Sequence, residues 1–262
     1  MKKTLSLFFR FFKINWMQEA EFRVNLVINS LMELWWSVLF LFFSQILFGH
    51  IQSIAGWQKN EVMLLIVTRS LAMGLLRAFL MPGVEHLSDK IKSGSLDMML
   101  TKPISTRLLI SISEQNMNTY LRIVVSIVLL VMMTSRMGFD LSLIKLLSFG
   151  IVMLLGVFSL YNVFFIMNTT AFWLTSLFNI GHLNNSLTDV AQFPPEAFEA
   201  RVRAVLLYLV PTIFIAAVPA RILMNGPILS NLIFVIITAL VSYIFSQMFW
   251  NFALRHYSSA SL

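Results

Sequence analysis

Long apolar runs alternate with short polar segments along this chain, and the runs have the length of membrane-spanning helices. A helix needs about 20 apolar residues to cross a bilayer. The runs are continuous and do not alternate residue by residue, so the strands of a β-barrel are not expected. The pattern predicts six spans, at residues 25–49, 62–81, 115–134, 141–161, 163–180 and 228–252.

Two segments do not fit a simple span. The apolar run 141–180 is twice as long as one span requires, and Tyr161 and Asn162 lie near its middle. We divide it into two spans joined by a tight turn, with one long tilted helix as the alternative. Residues 184–226 contain Pro211 and Pro219, and proline kinks a helix because it removes a backbone hydrogen bond. This segment predicts a re-entrant pair of short helices at the outer face.

Composition and charge agree with a membrane protein. Hydrophobic residues make up 58% of the 262 residues and charged residues 12%, against about 25% charged in soluble domains. The fold class is therefore all-α and polytopic, in a single domain over residues 1–262. The net charge of +7 comes with no basic cluster interleaved with stacking aromatic residues, so the expected partner is a lipid bilayer and not nucleic acid.

The distribution of Lys and Arg orients the spans. Residues 1–24 combine five basic residues with phenylalanines at helical spacing, which predicts a helix lying in the membrane interface. Residues 82–110 are also basic, and cytoplasmic segments of membrane proteins are enriched in Lys and Arg. Both segments, and both termini, are therefore expected on the cytoplasmic side.

Familiar catalytic chemistry is missing from the sequence. There is no cysteine, no G-x-x-x-x-G-K-[ST] phosphate loop, and no pair of histidines at metal-ligand spacing. We therefore predict no catalytic residue, no metal site and no bound cofactor in this chain.

Charged residues within the predicted spans are candidates for function. Glu33, Arg69, Arg77 and Arg122 would lie at membrane depth, where a charge is costly without a partner. We predict that Glu33 pairs with Arg122 or Arg77. Asn29 and Glu33 share one helix face. This face either lines a substrate path, with Glu33 as counter-ion, or packs on other helices, with the ion pair fixing their register.

The segment "IKSGSLDMMLTKPIS" resembles the cytoplasmic loop of ABC transporter permeases of the type-2 exporter class. The subfamily pattern G-x-L-D-x-x-L-x-K/R-P is matched by Gly94, Leu96, Asp97, Leu100, Lys102 and Pro103. In that class the loop holds a short helix that docks on an ATPase subunit. Here Ser95 could cap such a helix, and Leu96, Met99 and Leu100 would form its apolar face.

A second match lies in the proline-containing segment, which resembles the outer gate of the same class. The matching residues are Phe193, Pro194, Pro211, Pro219, Ala220 and Arg221. The resemblance implies a permease in the bacterial cytoplasmic membrane that works with two copies of a separate ATPase, which would hold ATP and Mg. A second permease subunit, either a related chain or another copy of this one, would complete the pathway.

The resemblance implies export by alternating access. Abundant Phe and Met and one deep acid favour an amphipathic or cationic small molecule as the substrate, as in multidrug efflux. The alternative function is an ion-coupled secondary transporter, for which the two halves should show an internal repeat.

Overall fold

The structure is a computed structural model, and it describes residues 2–139, 142–174, 180–224 and 226–257. Helices dominate it, as the apolar runs predicted. In chain order they are α1 (Lys2–Glu21), α2 (Arg23–Leu47), α3 (Lys59–Phe79), α4 (Pro82–Glu85), α5 (Leu87–Lys92), α6 (Ser95–Leu100), α7 (Thr106–Ser113), α8 (Tyr120–Arg136), α9 (Leu143–Thr169), α10 (Ile180–Asp189), α11 (Ala200–Ala204), α12 (Ile213–Leu223) and α13 (Ile228–Arg255).

The two ends of the helical bundle are distinct. At the hairpin end, strands β1 (Ser53–Ile54) and β2 (Trp57–Gln58) pair antiparallel between α2 and α3. The turn between them has positive φ at Ala55 and Gly56, the geometry of a tight hairpin. At the loop end, the short helices α4–α7 connect α3 to α8.

Among the described residues, five helices are long and apolar enough to span a membrane. They are α2, α3, α8 extended by the turn before it (residues 117–136), α9 and α13. α3 runs antiparallel to α8, since Phe79 meets Tyr120 at 5.4 Å between ring centroids and Ser70 meets Ser126 at 2.9 Å between hydroxyl oxygens. α9 and α13 run parallel, because the ring of Phe165 contacts that of Trp250 and, seven residues later in both segments, the ring of Phe172 contacts that of Tyr257. The chain must therefore cross the bundle once more between α9 and α13.

The sixth crossing is polar. Asn185 in α10 contacts Arg77 near the loop end of α3, and Asp189 contacts Arg69, which lies two turns closer to the hairpin end. Glu196 then reaches Trp57 at the hairpin end, with 2.8 Å between Oε2 and the indole nitrogen. Residues 180–197 thus run alongside α3 in the opposite direction. Polar backbone at membrane depth is tolerated where surrounding protein shelters it.

The predicted pair of short helices follows this crossing. α11, extended by the π-helical turn Val205–Leu209, meets α12 at an angle of 97°. α12 begins deep in the bundle, where a Cβ added to Gly156 would lie 2.5 Å from the Phe214 carbonyl oxygen, and ends beside Trp57 at the hairpin end. The pair therefore enters and leaves at the same end, and six crossings place α1 and the end of α13 together at the loop end.

The division of residues 141–180 into two spans is wrong. α9 continues through Tyr161 and Asn162 to Thr169, and a 3-10 turn follows to Phe172. The Asn162 amide donates to the Phe158 carbonyl one turn earlier, at 2.9 Å, and the Tyr161 hydroxyl bonds Ser111 at 2.5 Å. These polar groups are satisfied by buried partners, so no turn is needed. Residues 175–179 of the predicted fifth span lie outside the described part of the chain.

α1 lies against the loop end, as an amphipathic helix separate from the spans. Phe12 contacts Tyr120 at 6.0 Å between ring centroids, and the Asn15 amide donates to the Ser113 carbonyl at 3.2 Å. Phe9 and Trp16 on other faces are exposed. The helix predicted within residues 1–24 is present as α1 (Lys2–Glu21). Its location in the membrane interface stays a prediction.

Candidate functional site

A charged cavity of about 500 Å³ lies between α2, α3, α8 and α10. Charged, neutral polar and apolar side chains all line it. They are Glu33, Arg69, Arg77, Arg122 and Asp189, then Ser70, Asn185 and Gln192, then Trp36, Phe40, Ile66 and Met73. Its volume is within the range of ligand pockets, roughly 300–1,000 Å³.

Glu33 pairs with both of the arginines that were predicted as alternative partners. Arg122 Nη1 donates to Glu33 Oε2 at 2.9 Å, and Arg77 Nη1 lies 3.5 Å from Glu33 Oε1. Arg122 is also held by the Ser70 hydroxyl, at 3.2 Å from its Nε. The three charges come from three different helices, so the pairs fix how α2, α3 and α8 pack. They also leave the Glu33 carboxylate engaged, which weakens its candidacy as counter-ion for a cation.

Arg69 and Arg77 find their other partners on the polar crossing. Arg69 donates to Asp189 Oδ1 at 2.6 Å and to the Thr188 carbonyl at 3.0 Å, while Arg77 donates to the Asn185 side-chain oxygen. Sequence reasoning missed Asp189 and Asn185. Two features of the sequence could have indicated them. Asp189 and Asn185 lie in a polar run, and Arg69 had no predicted partner.

Asn29 does not join the site. Its amide donates to the Asn25 side chain at 3.2 Å, one turn away, and it is not among the described residues that line the cavity. Of the four residues predicted for a polar path, Glu33, Arg77 and Arg122 therefore come together and Asn29 stays apart.

The loop end carries the short helix that the sequence predicted, with a different exposed face. Gly94, at φ +70°, caps α6, so Ser95 is its first residue and not its cap. Leu96 is fully buried against this chain and Met99 packs on the core, whereas Met98 is 66% exposed and Leu100 37%. Leu96 and Met99 therefore pack α6 against the rest of the chain. The apolar surface open to a partner is formed by Met98 and Leu100.

The remaining predicted loop residues flank that surface. Asp97 lies in the first turn of α6, where an acid is favourable beside the helix dipole. Lys102 and Pro103 are exposed just beyond the end of the helix. Gly94, Asp97, Lys102 and Pro103 thus shape and border the exposed face.

Glu114 ties the loop helices together. It accepts hydrogen bonds from His86 and from Lys90 Nζ, the latter at 2.5 Å, and Lys90 also donates to the Gly83 carbonyl at 3.0 Å. The bond to Glu114 raises the pKa of His86 against the opposing effect of burial. Burial acts to raise the pKa of Glu114, but the bonds from His86 and Lys90 outweigh it and lower that pKa.

Arg107 fixes α7 to the two parallel helices. Its buried guanidinium donates to Gln247 of α13 at 3.1 Å and to the Asn162 side chain of α9. It also lies 4.6 Å from the Phe165 ring centroid and 5.2 Å from that of Tyr243. These contacts connect α7 directly to α9 and α13. These contacts were not predicted, because in the sequence Arg107 looks like one more basic residue of the loop.

The predicted gate residues lie along the crossing and the bent pair. Phe193 packs on Phe40 at 5.9 Å, and Pro194 precedes the 3-10 turn Pro195–Ala197. Pro211 lies between the π-helical turn and α12, and Pro219 lies within α12. Arg221 bonds Glu196, which also accepts from the Trp57 indole, so these three side chains join β2, the crossing and α12.

Apolar spanning helices, with a charged cavity between α2, α3, α8 and α10, define a multi-pass helical membrane protein whose interior holds polar groups. A family model described as "ABC-2 family transporter protein" matches residues 34–261. The chain therefore belongs to the ABC-2 transporter family, whose members are membrane components of ABC transporters. No curated protein and no solved structure matches it.

Proposed function

We propose that this chain is the permease subunit of an ATP-driven ABC exporter. Family membership supports a transport component in a bilayer that works with an ATPase. The observation that carries the proposal is the loop end: α6 presents Met98 and Leu100 outward, while Arg107 ties the following helix to the bundle. The G-x-L-D loop subfamily remains part of this proposal.

The arrangement gives a physical route for coupling. A short amphipathic helix can dock in a groove of a partner through a few apolar side chains. Closure of the ATPase pair on ATP and Mg would push α6, and the Glu114 cluster would pass the force to α7. Arg107 and the Ser111–Tyr161 bond then shift α9 and α13, which is the rigid-body motion that alternating access requires.

The assembly would contain two ATPase subunits and a second permease chain, either a related protein or another copy. Both termini of this chain and the loop end would face the bacterial cytoplasm, and the bent pair would gate the outer side. The cavity, with charged groups beside Trp36 and Phe40, suits an amphipathic small molecule or drug. A cationic group would have to displace an arginine from Glu33.

The test uses the tagged chain purified from its native membranes with whatever ATPase accompanies it. Met98→Asp places a charge in the proposed contact, and we expect it to abolish ATPase co-purification and the stimulation of ATP hydrolysis. Met98→Leu keeps the surface apolar and should retain both. Leu96→Asp is less informative, because Leu96 is buried and its loss would unfold α6.

Full ATPase stimulation by the Met98→Asp chain would refute docking through α6. Transport that proceeds without ATP but stops with an ionophore would instead support the ion-coupled transporter, the alternative that the sequence left open.

A further inference from the structure

The side chains that line the cavity carry one positive charge more than negative charges. Among the described residues that line it, Arg69, Arg77 and Arg122 face Glu33 and Asp189, which is three positive charges against two negative. Buried unbalanced charge is costly, so such a site is stabilised by a counter-ion of opposite sign.

The excess charge is concentrated at Arg77. Arg69 has a carboxylate at 2.6 Å and Arg122 has one at 2.9 Å, whereas Arg77 has Glu33 only at 3.5 Å and shares it with Arg122. The closer partner of Arg77 is the neutral Asn185 amide. Glu85 of α4 also attracts Arg77 electrostatically, but in the described part of the chain it forms no ion pair with Arg77 and does not line the cavity. Arg77 is also the most exposed of the three, at 31% of its side chain against 13% and 8%. A guanidinium offers five N–H donors in a planar fork that fits a carboxylate or phosphate.

Apolar side chains also line the cavity. Trp36 and Phe40 of α2 and Met73 of α3 line the same cavity as Arg77. A ligand with its acidic group at Arg77 would therefore extend an apolar body along aromatic and thioether surface.

We propose that the cavity binds amphipathic organic anions, molecules with one carboxylate or phosphate group on an apolar body, through Arg77. This rests on the proposed transport function and names the substrate class of the same cavity. It reverses the expectation of a cationic substrate, which treated Glu33 as a free counter-ion.

The test measures binding to the full chain in nanodiscs of phosphatidylcholine, without ATP or any ATPase. Tritiated oleate is the probe, counted above empty discs, and oleyl phosphate, oleyl alcohol and oleylamine compete for it. We expect oleate and oleyl phosphate to bind, and the alcohol and the amine to compete roughly tenfold less well or worse. Because all four share one chain, the series isolates the charge of the head group.

Two variants act on the excess charge. Arg77→Gln should weaken oleate binding roughly tenfold. Asn185→Asp adds a carboxylate beside Arg77 with almost no change in shape, brings the cavity to zero net charge, and should abolish the preference for oleate over the alcohol. Asn60→Asp makes the same change at an exposed position at the start of α3 and should bind as the unchanged chain does.

Oleylamine competing as well as oleyl phosphate, or unaltered oleate binding in a folded Asn185→Asp chain, would overturn the anion assignment. Neither result would touch the ATPase coupling, which is measured separately through Met98. Conversely, a chain that binds oleate but accompanies no ATPase would refute the exporter and leave the ligand class standing.

Discussion

Glu33→Gln changes the centre of the charged cavity with almost no change in shape, and its consequences differ between the two arginines. Arg122 is 8% exposed and lies 2.9 Å from Glu33, so it loses its only carboxylate partner among the described residues. Arg77 is 31% exposed, lies 3.5 Å away, and retains the Asn185 amide. The structure therefore predicts strong coupling between Glu33 and Arg122 and weak coupling between Glu33 and Arg77.

The size of each coupling follows from geometry and surroundings. A hydrogen bond to a charged group contributes about 1.5–3 kcal/mol in proteins generally, but polar contacts between membrane helices average about 0.6 and reach about 1.7 kcal/mol. Glu33 is partly open to the cavity, so the membrane values apply. We expect a coupling energy of about 1.5 kcal/mol for Glu33 with Arg122, and about 0.5 kcal/mol for Glu33 with the more exposed Arg77.

A double-mutant cycle measures these energies. The free energy of unfolding is determined in mixed micelles with increasing dodecyl sulfate for Glu33→Gln, Arg122→Met, Arg77→Met and the two double variants. A pairwise energy appears as the deviation from additivity. Equal couplings for both arginines, or a larger one for Arg77, would show that burial and distance do not rank these pairs as argued.

Three further changes test other parts of the structure. Gly156→Leu should destabilise the chain by about 1–3 kcal/mol in unfolding experiments, since its Cβ would lie 2.5 Å from an α12 carbonyl oxygen, whereas Gly150→Leu meets open space and should be neutral. His86→Ala should remove a stabilisation that is complete only between about pH 4.5 and pH 6.5, the ordinary pKa values of Glu114 and His86. The stabilisation is lost as the pH rises through the raised pKa of His86 and as the pH falls through the lowered pKa of Glu114. Thermal midpoints measured across pH would reveal both limits. Arg107→Lys keeps the charge but loses the planar guanidinium, so ATPase stimulation should fall while the ATPase still co-purifies.

The two ends of a span could be predicted from the sequence where the length of an apolar run alone determines them. The first and last predicted spans, 25–49 and 228–252, correspond to α2 (Arg23–Leu47) and α13 (Ile228–Arg255) within three residues at each end. α2 and α13 have largely exposed surfaces in this chain, so nothing beyond their own hydrophobicity decides where they begin and end.

Prediction failed where a distant residue satisfies a polar group. Asn162 looked like a turn because its amide oxygen needs a donor, and that donor is Arg107, 55 positions away. Residues 184–197 were placed in an outer region because they are polar, yet Asn185 and Asp189 bond to Arg77 and Arg69 along α3. Periodicity describes one helix at a time and contains no information on such pairs.

The same pairs explain why the polar crossing and the arginines occur together. An arginine at membrane depth, or a polar segment such as residues 180–197, is unfavourable alone in hydrocarbon. Asp189 on the crossing neutralises Arg69, and Asn185 satisfies Arg77 without neutralising it. A carboxylate in place of Asn185 would balance the charges and leave no reason to admit an anion. An amide at this position holds the crossing against α3 and adds no negative charge beside Arg77, so in the proposed anion site this one side chain sets the charge balance of the cavity lining.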